Sequence, residues 1–441
     1  MGHNRLAGEA GHPAILGGIP VHEKEWPAWP RAGMLAQRML LDVLHSQTWT
    51  ITARTRKTNS YEKRFGESFA QHVKRRFAVP CSSGTSALTI ALQAMEIGPG
   101  DEVIVPGMTW VACASAVAHL GAVPVLVDIG PQSLCMAPAA VEEAISPATK
   151  AVLGVHMYSS RADLRQLTDI CRRRGLTLIE DASQAHGACL ADGPVGSFGA
   201  ISVFSFQQTK LLTAGEGGIA VTDDQNIYER LQKFRADGRI YNEQPLEGGF
   251  YDLADIGGVL GRNLCLSEFH AAILIEGLQR LDRENLHRAA MAAELERGLV
   301  DLGGVELVRD QLSPRGGATF YKIPLRLDDE AFRAIGAERL ARALSAELNL
   351  AVEPLDPPLN RHPLYQPLTA PLVTRIPGSS ERVDPRRYPL PAALDAWHNC
   401  VALPHSGLLG GLPEVEAVVT ALNKIRRHAK VLSALPPGRR P

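Results

Sequence analysis

The sequence contains no uninterrupted apolar run of the roughly 18 residues that a membrane span requires, so no bilayer-crossing helix is expected. It has no excess of charge of either sign: 46 Lys and Arg stand against 47 Asp and Glu, a formal net charge of −1. That balance removes the electrostatic case for nucleic acid or a membrane surface and leaves a small molecule as the expected partner. The seven cysteines, at 81, 113, 135, 171, 189, 265 and 400, include no pair at CxxC spacing. An odd, scattered set fits neither a disulfide framework nor a thiolate metal site, so no metal is expected. No GxGxxG follows a predicted strand, and the GEGG at 215–218 is not a dinucleotide fingerprint. The opening MGHNRLAGEAGHPA lacks an apolar export segment and carries Leu6 where a myristoylation signal needs Ser or Thr. With the unpaired cysteines, this predicts a cytoplasmic protein.

What is present is the composition of a globular protein, 45% hydrophobic and 21% charged, and 441 residues predict two domains. Residues 1–30 are rich in Gly and Pro and end in EWPAWP, which predicts an extended arm whose Trp26 and Trp29 pack on the body or on a partner subunit. Helical periodicity follows at 34–46 and 59–77. Strands at 78–81, 103–105, 122–127, 151–156, 176–180 and 201–206 alternate with helices at 109–119, 162–174 and 226–236. Repeated βαβ units of this kind predict an α/β domain with a mostly parallel central sheet over 31–284. A long helix begins after Gly261, and a smaller C-terminal α+β domain is expected over 285–432. It includes a strand at 318–325, a helix at 340–348, a proline-rich stretch at 354–391 and a final helix at 413–432. Residues 433–441 are expected to be a disordered tail, and no internal repeat is present.

The stretch ISVFSFQQTKLLTAGEGGIAV at 201–221 sets Lys210 between an apolar strand and a glycine turn. A lone lysine there reads as a surface residue. Two other stretches change that reading. AVPCSSGTSAL is a strand, a small polar turn and a helix start, where free backbone N–H groups form an anion site. LTLIEDASQAHGA puts Asp181 at the carboxyl end of an apolar strand, where burial of a carboxylate is costly without a cationic partner. Trp110 follows a third strand end. An amine, a buried carboxylate, an anion-binding turn and an aromatic on one sheet edge are together the set that pyridoxal phosphate requires.

The segments SSGTSAL, PGMTWVA, EDASQAHGA, FSFQQTKLLTAGEGG and GRNLCLSEFHAAIL resemble those of the fold type I sugar aminotransferases, the DegT/StrS group, over most of the chain. The resemblance implies that Lys210 forms a Schiff base with the cofactor and that Asp181 partners its ring nitrogen. Gln184 would lie near the phenolic oxygen, Gly84, Thr85 and Ser205 would hold the phosphate, and Trp110 would stack on the ring. Asn263 matches an asparagine that reaches the phosphate from the neighbouring subunit, which implies a homodimer with shared active sites. The implied reaction is a ping-pong transfer from glutamine or glutamate to a small keto acceptor. PAWP, QQTK, TAGEGG and LPHSGLLG are similar to a cyclitol branch that includes the glutamine:scyllo-inosose aminotransferases of aminoglycoside pathways. The 3-amino-5-hydroxybenzoate synthases are the second reading. Ser159 and Ser160 in HMYSSRAD, and the length of the 354–391 stretch, depart from both. Candidate substrate residues are His156, Tyr158, Arg239, Tyr241 and His405. A dehydratase of the same group would carry histidine in place of Lys210, and a non-catalytic regulator would lack Lys210 or Asp181.

Overall fold

The computed structural model describes residues 11–52, 60–242, 253–312, 317–376 and 378–436. Its centre is a seven-stranded sheet of β1 (Phe77–Cys81), β2 (Glu102–Pro106), β3 (Val123–Val127), β4 (Thr149–Val155), β5 (Thr177–Asp181), β8 (Ile201–Ser205) and β9 (Gly218–Thr222). A short hairpin of β6 (Cys189–Leu190) and β7 (Gly193–Pro194) intervenes before β8. The strand order is β1-β9-β8-β5-β4-β2-β3, with β9 alone running against its neighbours. The sheet is mostly parallel, as the alternation of strands and helices predicts.

Strands covered on both faces read as apolar runs, and β2, β8 and β9 are buried throughout. Two cores result, one on each face. Against one lie α3 (Gly84–Ala94), α4 (Ala112–His119) and α7 (Gln225–Arg235), through Leu88, Val117 and Leu231. Against the other lie α2 (Tyr61–His72), α5 (Pro138–Ala144) and α6 (Leu164–Arg174), through Phe65, Phe69, Val141 and Leu167. The helix α1 (Met34–Ser46) packs outside these on α8 (Glu268–Leu302). A second hairpin, β10 (Arg239–Tyr241) with β11 (Leu253–Asp255), follows α7.

The boundary expected between residues 284 and 285 falls inside α8, which is unbroken. Leu274 and Leu281 of α8 belong to the large core, and Ala292, Leu295 and Leu299 to the core of the smaller sheet. That sheet joins β12 (Val305–Leu307), β13 (Lys322–Leu327), β14 (Glu353–Pro354) and β15 (Cys400–Pro404) in the order β12-β13-β15-β14. The helices α9 (Glu330–Ile335) and α10 (Ala337–Leu348) pack on it.

The proline-rich stretch does not stay with the small domain. It carries α11 (Pro371–Thr374), α12 (Ser379–Val383) and the start of α13 (Pro391–Asn399) back over the large sheet. Leu355, Leu390 and Ala393 join one large core, Leu359 and Tyr365 the other, and Val373 and Val383 cover Val123 of the edge strand β3. Asp128 then caps α13 by accepting from Ala392 N and Ala393 N, at 2.8 and 3.0 Å. Apolar side chains spaced between prolines thus shield an edge that would otherwise be open to pairing.

From residue 11 the arm also lies on the small domain. Ala14 N and Val21 N donate to Glu347, Trp26 Nε1 donates to Leu348 O, and Ile15, Val21 and Trp26 pack on the core there. The single final helix expected at 413–432 breaks at His428 into α14 (Leu412–Arg427) and α15 (Ala429–Ser433). Of the tail expected to be disordered, 433–436 is ordered: Arg339 and Arg342 donate to the carbonyls of Leu435 and Pro436 beside buried Leu432. Residues 437–441 lie outside the described residues.

One buried ion pair joins the two parts of the chain. Arg161, after β4, donates to both carboxylate oxygens of Asp310, after β12, at 2.8 and 3.0 Å, and both residues are at most 4% exposed. Removing one partner strands a buried charge. Asp310→Ala is expected to lower the apparent unfolding free energy by ~3–5 kcal/mol in urea denaturation, and Asp310→Asn by less, because the amide oxygen still accepts.

Candidate active site

A cavity of about 450 Å³ opens at the carboxyl ends of the central strands, where parallel sheets place their ligands. Its floor on one side is the start of α3. Ser83 caps that helix, its Oγ accepting from Ser86 N at 3.0 Å. Among the described residues the N–H groups of Gly84 and Thr85 have no acceptor, and both residues line the cavity. A Cβ on Gly84 would stand 2.6 Å from Ser205 Cβ, so glycine is what lets α3 start against the end of β8. Gly218 does the same on the other side, where a Cβ would stand 2.2 Å from Ser83 O.

Asp181 is the last residue of β5 and 4% exposed. Its Oδ2 accepts from the Cys113 thiol at 3.2 Å and its Oδ1 from Ser183 N at 2.9 Å. Burial, and then the charge of Asp181, push the Cys113 thiol well above its ordinary pKa, so it stays protonated and able to donate. Gln184 Oε1 accepts from Tyr158 N at 2.7 Å, which fixes the amide beside the cavity. Trp110, in the loop between β2 and α4, is 49% exposed and meets His362 of the proline-rich stretch edge-on at 6.1 Å.

Lys210 sits on a turn closed by Lys210 N donating to Gln207 O at 2.8 Å. Its Nζ lies 4.0 Å from the centre of the Tyr321 ring, close enough for a cation–π contact. Tyr321 Oη is 2.9 Å from Thr209 Oγ1. Burial alone would raise the Tyr321 hydroxyl, but the charges of Lys210 and Lys322, with hydrogen bonds from Thr209 and Lys210, outweigh it and hold the pKa below its usual value. Burial likewise works to lower Lys322, and its ion pair with Glu353 at 2.8 Å outweighs that and raises it. Tyr158, which also lines the cavity, brings its hydroxyl to 3.4 Å from Asp356 Oδ2.

Gly84, Thr85, Trp110, Asp181, Gln184, Ser205 and Lys210 therefore share one cavity, joined by Tyr158 from the candidate substrate residues. The others are elsewhere. His156 is buried, its Nε2 on Glu180 at 3.1 Å and its Nδ1 accepting from Ala162 N. Arg239 turns to Ala236 O and Asp237, and the Tyr241 hydroxyl goes to Glu62. His405 stands behind the lysine turn, on Thr209 O, and Asn263 is exposed beside Ala236, outside the cavity of its own chain. Tyr321, Lys322 and Asp356 line the cavity but had no sequence signal beyond a predicted strand and a proline-rich stretch, because β13 and the segment after β14 reach the cavity only through contacts between distant parts of the chain.

These groups fit pyridoxal phosphate. The unpaired N–H groups at the α3 start could hold a phosphate, the glycine cradle admits it without a side chain, and Asp181 and Lys210 offer the carboxylate and the amine. Among the described residues no group of His, Cys, Asp and Glu is arranged to hold a metal, and no helix is long and apolar enough to cross a membrane.

Comparison with known proteins agrees. Residues 35–421 match the DegT/DnrJ/EryC1/StrS aminotransferase family. The chain is 44% identical to an L-glutamine:scyllo-inosose aminotransferase of Streptomyces griseus, over 95% of this chain and 99% of that one. It is also 44% identical to an L-glutamine:2-deoxy-scyllo-inosose aminotransferase of Micromonospora echinospora, over 93% and 97%. The crystal structure of 3-amino-5-hydroxybenzoic acid synthase superposes with a TM-score of 0.77 at 30% identity, covering 91% of this chain and 99% of that one. With the fold, the cavity and the matched residues in agreement, the chain belongs to the DegT/DnrJ/EryC1/StrS aminotransferase family and is a pyridoxal-phosphate-dependent aminotransferase of fold type I.

Proposed function

We propose that the chain moves the amino group of glutamine, or of glutamate, to a small ketocyclitol of the scyllo-inosose kind, in the cytoplasm and as part of an aminoglycoside-like pathway. The observation that carries this reading is the 44% identity to the Streptomyces griseus enzyme over nearly the whole of both chains. The 3-amino-5-hydroxybenzoate reading has 30% identity behind it. The cavity also favours an uncharged polyol. Tyr158, Tyr321 and Asp356 offer hydroxyls and a carboxylate to a ring of hydroxyl groups. Lys322, the only lysine or arginine besides Lys210 among the described lining residues, is already paired with Glu353, which leaves little to hold a sugar diphosphate.

In this reading Gly84, Thr85 and Ser205 hold the phosphate, Trp110 covers the ring, and Gln184 sits at its phenolic oxygen. Bound there, pyridoxal phosphate supplies a carbonyl that accepts the substrate amine and a ring that disperses the resulting negative charge. Asp181 keeps a proton on the ring nitrogen, and the Cys113 thiol orients the carboxylate for that task. Lys210 Nζ removes the α-proton of the amino donor and in the second half of the cycle returns a proton to the acceptor carbon. The position of Asn263, exposed and outside its own cavity, suits the role of completing the phosphate site of a partner subunit in a homodimer.

Three measurements test the reading. Lys210→Ala should lose the visible absorbance of the loaded protein and ~10²–10⁴-fold in turnover, whereas Asp181→Asn should keep the cofactor and lose on the order of 10²–10³-fold; near-normal turnover in Asp181→Asn would show the carboxylate assignment to be wrong. Loaded protein bleached with glutamine should regain its visible band on adding scyllo-inosose and stay bleached with a nucleotide-linked ketosugar; the opposite pattern overturns the acceptor assignment. Finally, equal mixing of inactive Lys210→Ala and Asn263→Ala subunits should restore about a quarter of wild-type activity, because half the dimers then hold one intact site. No recovery after subunit exchange would count against a shared site.

A further inference from the structure

The lysine turn is gripped from outside the sheet. Because Lys210 N closes the turn onto Gln207 O, the carbonyls of the two central residues, Gln208 and Thr209, face outward and need donors from elsewhere. Each has one. Trp29 Nε1 donates to Gln208 O at 3.1 Å, and His405 Nε2 donates to Thr209 O at 3.2 Å. Trp29 comes from the N-terminal segment and His405 directly follows β15 of the small domain. Their rings meet edge to face, 4.6 Å apart at 84°, and the buried guanidinium of Arg288 on α8 lies 5.3 Å from the Trp29 ring centre.

The histidine is built for this one contact. It is 3% exposed, and its Nδ1 has no partner among the described residues, so the Nε2–H tautomer is the one that satisfies the site. Burial, and then the charge of Arg288, push its pKa well below the ordinary value and keep the ring neutral. Neither Trp29 nor His405 lines the cavity, so neither touches a reacting atom.

We propose that Trp29 and His405 are positioning residues that aim Lys210 by holding the Gln208 and Thr209 carbonyls. The PAWP and LPHSGLLG segments, far apart in the chain, thereby converge on the peptides next to the reactive amine. The kinetic part of this proposal rests on Lys210 being that amine; the structural part does not.

The test is hydrogen–deuterium exchange on the full-length, cofactor-loaded protein, following the amides of 205–216, beside steady-state kinetics. Trp29→Phe keeps a ring against His405 and Arg288 but loses the N–H. His405→Leu removes the donor, and His405→Gln puts an amide N–H at the same reach. Exchange in the turn should rise about tenfold in Trp29→Phe and His405→Leu, with the rest of the chain unchanged. The kcat should fall several-fold with the KM for glutamine unchanged, and His405→Gln should behave as wild type. The proposal is overturned if the turn exchanges at the wild-type rate, if exchange rises evenly through the chain, if kcat is untouched, or if His405→Gln is as impaired as His405→Leu. Should Trp29→Phe fail to fold, the two His405 variants decide the matter. Exchange needs no turnover, so it can fail independently of the functional reading.

Discussion

The pairing of β5 with β8, with Asp181 opposite Val203, is the contact on which the rest of the site depends. It brings the end of the carboxylate-bearing strand beside the strand that leads to Ser205 and Lys210. Successive residues of a strand face opposite sides, so the two carboxylates that end β5 have different fates. Asp181 enters the cavity. Glu180 turns into the core, where it accepts from Gly196 N at 2.6 Å and Ser202 Oγ at 2.8 Å and pairs with His156. Burial opposes its charge, but those donors outweigh the penalty and hold its pKa below the usual value. A one-residue slip of this register would exchange the two roles and destroy both.

The antiparallel return of β9 completes the frame. Gly218 lies between Cys81 of β1 and Ser205 of β8, so the turn that starts α3 and the end of the strand leading to Lys210 are pressed together. Gly84 and Gly218 occupy the two points where a side chain would collide with that arrangement. The large domain thereby builds the half of the cavity suited to the cofactor from elements adjacent in the sheet. The half suited to substrate is assembled differently. Tyr321 and Lys322 come from β13 and Asp356 from the segment after β14, while His362 of the proline-rich stretch meets the edge of Trp110 from outside the lining.

That division explains which residues were legible in advance. Lys210, Asp181, Gln184, Ser205 and the Gly84–Thr85 turn each sit at a strand end or helix start, where local pattern specifies position to within a residue. His156 follows an apolar strand too, yet its ring is held by Glu180, and no local pattern tells a buried partner from a cavity residue. Arg239 and Tyr241 sit on a short hairpin whose polar groups find partners in α2, α7 and the turn between. The proline-rich stretch followed the small domain in sequence order, but its valines and leucines were free to pack on whichever apolar surface the fold left open.

The sequence by itself determined the α/β alternation, the set of groups that suits pyridoxal phosphate and the family, because period, strand-end chemistry and motif spacing are local properties of the chain. Only the tertiary structure decided that α8 serves both domains, that the arm and the LPHSGLLG segment close on the lysine turn, and that Tyr321, Lys322 and Asp356 line the cavity. Each of those outcomes depends on contacts between residues far apart in the chain, and such contacts are set by which apolar surfaces remain to be covered once the central sheet has formed.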